Sequence, residues 1–215
     1  MKAQWVVLIV VGAVAILGLV VLPAFRRGPD LGSYLPLKEP RLSKRANERV
    51  LEVEFSGPAD TVIPKAYSAL FKAYFGLAGS PRGPAMKPPK ARYEMKAVGG
   101  EAADRRLEAL KAHPWTGSVA IPIPETLAVA ERGPEASGMV ARAATWEYGE
   151  VAEILHLGSY DTEPPTIKKL EDFIDSRGYR SVGDHEEEYL KGPGMPRVSP
   201  KDYWTIIRYR VEKVN

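Results

Sequence analysis

The chain of 215 residues contains no cysteine. That excludes thiolate zinc sites, iron–sulfur clusters, a cysteine nucleophile, a disulfide framework and a lipidated cysteine anchor. Histidine is scarce. His113, His156 and His185 are the three, and none falls in an HExxH or other metal-ligand spacing. A GxSxG elbow, a Walker loop and a GxGxxG turn are also missing, so no metal and no cofactor is expected. Excess charge is lacking as well. The formal +3 resides in Lys2, Arg26 and Arg27, and removing those three leaves 27 basic against 27 acidic side chains. A nucleic-acid-binding domain keeps its positive excess on the folded part, so no nucleic-acid partner is expected. Wholesale disorder is excluded too, because 45% of the residues are hydrophobic and 27% charged.

One long apolar run is present. Residues 5–22 are eighteen positions without a charge, extended by Pro23-Ala24-Phe25. At ~1.5 Å per residue the run reaches roughly 27–31 Å, the thickness of a bilayer core. Trp5 and Phe25 stand at its ends, where interfacial aromatics are favoured. A cleaved signal peptide has a shorter apolar core and a small-x-small site, which Leu22-Pro23-Ala24 does not supply. The expectation is therefore a transmembrane anchor over 1–27 that meets the membrane through residues 5–25. Arg26, Arg27, Lys38, Arg41, Lys44 and Arg45 outnumber Lys2, which makes this a single-pass membrane protein with its folded domain in the cytoplasm. Residues 28–47, punctuated by Gly28-Pro29-Asp30, Gly32-Ser33, Pro36 and Pro40, read as a linker, and 78–90 as a surface loop.

A repeat organises the remaining domain, residues 48–215. At an offset of 101, Val50/Val151, Glu52/Glu153, Val53/Ile154, Gly57/Gly158, Asp60/Asp161, Thr61/Thr162 and Pro64/Pro165 correspond. Each copy reads as a strand, a glycine turn and a helix start that Asp or Thr can cap, with proline tolerated in the first turn. Ile63, Tyr67, Leu70, Phe71 and Tyr74 carry the first helix; Ile167, Leu170, Phe173 and Ile174 carry the second. Extended pieces follow at 92–98 and 117–124, and again at 180–191 and 203–213. A helical insertion is expected near 101–111 and a joining strand at 139–146. The fold class is α+β: tandem β-α-β-β units, about 48–125 and 147–213. They form one antiparallel sheet with two helices on one face and a central groove on the other.

The second copy resembles the GyrI-like family, a small-molecule-binding domain also found as the effector domain of some multidrug-responsive transcription regulators. Gly158-Ser159-Tyr160, the helix Pro164–Ser176, Gly178-Tyr179, Gly183, His185-Glu186-Glu187-Glu188-Tyr189-Leu190 and Trp204-Thr205-Ile206-Ile207-Arg208-Tyr209 carry the likeness. It spans roughly residues 48–213, with the first half enlarged over 78–112. It implies two β-α-β-β units and a central pocket for lipophilic, often cationic, compounds. A buried acid on the E-x-Y strand maps to Glu187. Members without a DNA-binding domain, which this chain also lacks, are implied to include hydrolases that open cyclopropane-containing toxins with that carboxylate and the pocket aromatics.

On a strand, Glu187 and Tyr189 share one side while Glu186, Glu188 and Leu190 share the other. If Leu190 meets the helices, Glu187 and Tyr189 face the groove. Ile207, Tyr209 and Val211 suit the helices, which sends Trp204, Ile206 and Arg208 to the groove. An acidic triplet is ordinarily a solvated edge; the repeat and the E-x-Y spacing turn Glu187 inward instead. Trp146, Tyr148 and Tyr160 either rim the pocket or pack at strand ends. The expected ligand-binding set is Glu187, Tyr189, Trp204, Trp146 and Tyr160. The expected function is a membrane-anchored binding domain that senses or sequesters small lipophilic molecules, cations among them. The alternatives are a hydrolase of cyclopropanoid or related electrophiles, in which Glu187 activates water or protonates a strained ring, and a protein-interaction adaptor docking through 78–112.

Overall fold

Alternation along the first repeat builds a strand with both sides covered. In Glu48–Gly57, Leu51, Val53 and Phe55 point to one side and Val50 and Glu52 to the other, and all five are buried. The computed structural model describes residues 31–94, 114–129 and 138–214. Eight strands make one sheet: β1 (Arg41–Arg45), β2 (Glu48–Gly57), β3 (Lys90–Tyr93), β4 (Trp115–Pro122), β5 (Ala141–Trp146), β6 (Gly149–Leu157), β7 (Tyr179–Lys191) and β8 (Trp204–Lys213). Helix α1 (Ala59–Gly76) follows β2, and α2 (Pro164–Ser176) follows β6. The order is β1-β6-β8-β7-β3-β4-β2-β5, antiparallel throughout. The units β2-α1-β3-β4 and β6-α2-β7-β8 therefore meet at β3 and β7. Strand β1 pairs with β6 of the second unit, while β5 pairs with β2 of the first.

The helices follow the expected pattern. Val62, Ile63, Ala66, Ala69, Leu70, Ala73 and Tyr74 bury one side of α1 against Leu51, Val53, Phe55, Val119 and Ile121. Leu170 and Ile174 of α2 bury against Ile154, Ile207 and Tyr209. The turn glycines Gly57 and Gly158 have φ of 142° and 131°, a backbone that other residues rarely adopt. The caps differ from expectation. Pro58 holds the N-cap of α1, and its carbonyl accepts the amides of Thr61 (3.0 Å) and Val62 (2.9 Å). In the second unit Tyr160–Thr162 forms a 3₁₀ turn, which moves the N-cap of α2 to Glu163.

Three expectations need correction. Residues 31–45, read as linker, form a 3₁₀ helix (Leu31–Lys38) and the edge strand β1. Leu37 of that helix is buried against Leu155, Leu190 and Ile206 on the face that carries neither α1 nor α2. Leu190 therefore meets this helix, and Glu187 and Tyr189 face α1 and α2 rather than a groove opposite them. The single-pass membrane placement is also corrected: among the described residues no helix is long and apolar enough to cross a membrane. Residues 5–25, on which that placement rested, lie outside the described residues, as does the helix expected near 101–111.

Candidate functional site

Strand register decides where the acidic triplet goes. Glu187 pairs with Ile207, whose side chain packs under α2, so Glu187 stands on the helix-bearing face. Glu186 and Glu188 pair with Arg208 and Ile206 and go to the opposite face. His185, Glu187 and Tyr189, two residues apart on β7, thus line up together.

Glu187 is the centre of a buried hydrogen-bonded group. Tyr189 Oη donates to its Oε2 at 2.6 Å, and His185 Nε2 lies 3.0 Å from its Oε1. With the carboxylate accepting from Nε2–H, the Nδ1 side of the ring meets Tyr209 Oη, 2.8 Å away. Since Tyr189 spends its proton on Glu187, Tyr93 Oη donates to Tyr189 Oη at 2.8 Å. Aromatic rings enclose the cluster. Tyr67 of α1 and Tyr160 meet the Tyr189 ring edge-on at 6.2 and 5.9 Å, and Tyr160 also packs on Tyr203. Opposite Glu187 on β3 stands Ala91, which adds little bulk above the carboxylate. Burial, reinforced by the Glu187 charge, raises the hydroxyl pKa of Tyr189, Tyr93 and Tyr160, so these groups stay neutral donors. Burial likewise raises that of Tyr67.

A second acid borders the same site. Glu163, at the start of α2, is buried, and its Oε1 has no hydrogen-bond partner. Burial first, and the neighbouring Glu187 second, hold its carboxyl well above the usual range. His156 pins the adjoining turn, with Nδ1 2.9 Å from Thr166 Oγ1 and Nε2 3.1 Å from the Ser159 carbonyl. Burial pulls its pKa down. Along α1, Tyr67, Phe71 and Phe75 form a half-buried stripe with ring separations of 6.2 and 6.1 Å. An apolar lip thus lies beside a polar floor.

Of the five residues expected to bind ligand, Glu187, Tyr189 and Tyr160 come together. Trp146 and Trp204 do not join them. Trp146 Nε1 donates to Glu52 on the opposite face (2.9 Å), and Trp204 borders the Leu190–Leu155 cluster there. That face is a charge network rather than an apolar groove. Arg208 bonds Glu153, Glu186 and Glu188. Lys90 reaches Glu48 and Tyr148. Arg92 bonds Glu186 and stacks on Trp146 with 4.1 Å from its Cζ to the ring. A cavity of about 250 Å³ bounded by Tyr34, Arg45, Lys90, Glu153 and Glu188 and a smaller cleft of about 50 Å³ at Arg92, Tyr148 and Arg210 open onto it, and both are mainly polar. Sequence reasoning missed Tyr67, Tyr93, Glu163 and His185 as site residues. His185 carried a usable signal, since it precedes Glu187 by two on the same strand. Tyr67 and Tyr93 come from the other unit, and only the β3–β7 junction brings them in.

The molecule is thus a tandem β-α-β-β domain, and solved structures share its fold. A hydrolase from Listeria innocua matches with a TM-score of 0.62 at 17% identity, covering 84% of this chain and 95% of its own. The EcmrR C-terminal domain matches with a TM-score of 0.57 at 16% identity, covering 82% and 98%. EcmrR in complex with DNA gives 0.56 at 17% identity, with 86% of this chain and 64% of that longer one covered. At these identities the likeness is one of fold. No family model and no curated protein sequence matches the chain.

Proposed function

We propose that this domain binds small lipophilic cations on its helix-bearing face. Glu187 supplies the counter-charge, and Tyr67, Tyr93, Tyr160 and Tyr189 supply the aromatic wall. One observation carries this reading: a buried carboxylate ringed by four tyrosines, beside the half-buried stripe of Tyr67, Phe71 and Phe75. A cation over such rings gains ~0.5–2 kcal/mol per ring, more when desolvated, and its attraction to a carboxylate strengthens away from water. The GyrI-like pattern of the second unit and the fold shared with the EcmrR C-terminal domain support the same assignment. Calorimetric titration with tetraphenylphosphonium tests it. Saturable binding is expected, weakened about tenfold or more by Glu187→Gln, a loss of ~1.4 kcal/mol. Binding that ignores this substitution would sink the proposal.

Hydrolysis is a second reading, favoured by the hydrogen-bond chain from Tyr209 through His185 to Glu187 and Tyr189. Here Glu187 takes a proton from water as its oxygen attacks a strained ring carbon. The ring C–C bond breaks, a proton passes from Tyr189 to the released carbon or its conjugated oxygen, and the proton that Glu187 took from water returns to Tyr189 along their 2.6 Å hydrogen bond. Incubation with a cyclopropane-containing electrophile should then give a product heavier by one water in the mass spectrum, absent with Glu187→Gln. An unchanged compound mass removes this reading and leaves binding.

A further inference from the structure

We infer that Glu163 is a second acid of this site, and that the site takes lipophilic dications, the second positive charge displacing a proton from Glu163. The inference rests on the cation-binding reading above and specifies the ligand class.

The corresponding N-cap of the first unit is Pro58, which carries no charge. Burying an acid is unfavourable unless it has a partner. As N-cap of α2, Glu163 has amide donors within reach, yet its side chain makes no capping hydrogen bond. It is 5% exposed with Oε1 unpartnered. Tyr67 Oη reaches in from α1 toward Tyr189, so the orphaned polar atom beside Glu187 is Glu163 Oε1.

The groups around Glu163 fix its charge. Glu187 acts on it from β7 and Tyr160 stands beside it in its own turn, while His185, Tyr189, Tyr93 and, from β6, His156 are the titratable groups grouped around Glu187. Burial and Glu187 keep Glu163 protonated well above the usual carboxyl range. A monocation is matched by Glu187 alone, and Glu163 keeps its proton. A dication reverses the balance: Glu163–COOH becomes Glu163–COO⁻ against the second charge, and one proton leaves to solvent.

A matched pair of probes separates the cases: benzyltrimethylammonium and 1,4-bis(trimethylammoniomethyl)benzene, titrated from about pH 5.5 to 8. Affinity for the dication should climb toward tenfold per pH unit while Glu163 is protonated in the empty protein; affinity for the monocation should stay flat. Glu163→Gln should abolish the slope and the preference for the dication. Its folding has a separate readout. An acid whose folded pKa is raised loses stability as pH climbs above about 4.5, because the unfolded chain gives up its proton first. Glu163→Gln should therefore melt higher than the parent at pH 8 and level with it near pH 4.5. Identical pH profiles for the two probes, or a dication slope that survives Glu163→Gln, overturns the inference and leaves the cation site standing. If neither probe binds the folded protein, the cation site falls and this inference falls with it.

Discussion

Arg208 shows how one side chain can be buried at 1% exposure without destabilising the sheet. Its Nε lies 3.0 Å from Glu153, Nη1 2.5 Å from Glu186 and Nη2 3.1 Å from Glu188, so glutamates from β6 and β7 converge on it from both sides. Burial by itself would raise the Glu153 and Glu186 carboxyls; Arg208, aided by Arg41 and Arg45 for Glu153 and by Lys90 and Arg92 for Glu186, outweighs burial and holds both below the usual range. Such acids stabilise the fold fully above their unfolded value of about 4.5, and that contribution is lost as pH falls through the folded one. Arg208→Met leaves three buried carboxyls without their shared cation. It should cost about 3–5 kcal/mol in urea unfolding at pH 7, with the deficit shrinking as the carboxyls protonate toward pH 4. Arg208→Lys should recover part of it, since a point charge cannot serve three carboxyls as a planar fork does. A full-strength Arg208→Met protein at neutral pH would show that the network contributes nothing to stability.

At the scale of elements, the repeat was legible and the faces were not. The offset of 101 located β2 and β6, both positive-φ glycines and both helices, because duplicated backbones need the same turn residue and the same apolar rows. Alternation along β7 fixed that Glu187 and Tyr189 share a side, but either side satisfies alternation. Leu190 tipped the choice the wrong way. An apolar residue on a strand between two helices reads as helix-facing, yet Leu190 is covered by Leu37. The segment bearing Leu37 looked like a linker because Pro36, Pro40, Gly32 and Gly28 break helical periodicity; a 3₁₀ helix of eight residues needs no such periodicity. With residues 31–45 read as linker, that face stays open as a groove, and the open groove places Trp204 in the site. Ile207, Tyr209 and Val211 were assigned correctly to the helices, and their register with β7 would have corrected Glu187 had the pairing been known.

For the molecule as a whole, the exchange of edge strands ties the two units together. Strand β1, which precedes the first unit, completes the second, and β5, which precedes the second, completes the first. The β3–β7 junction makes the sheet continuous. A continuous sheet with reciprocal edges should open as one cooperative body rather than as two halves. Leu37 offers a clean test, because it belongs to the segment ahead of the first unit and is buried against the second. In a linker, Leu37→Ala would change stability by no more than about 0.5 kcal/mol. A leucine at 4% exposure, packed on Leu155, Leu190 and Ile206, should instead lose about 2–5 kcal/mol. Cooperativity sets where that loss is felt. Hydrogen exchange should accelerate to the same extent in the core amides of α1 and α2, although Leu37 touches neither. Faster exchange confined to α2 and β6 would mean that the units open independently. The Glu187 site, which draws Tyr67 and Tyr93 from one unit and Glu163, Tyr160 and Tyr189 from the other, would then lose its two halves separately.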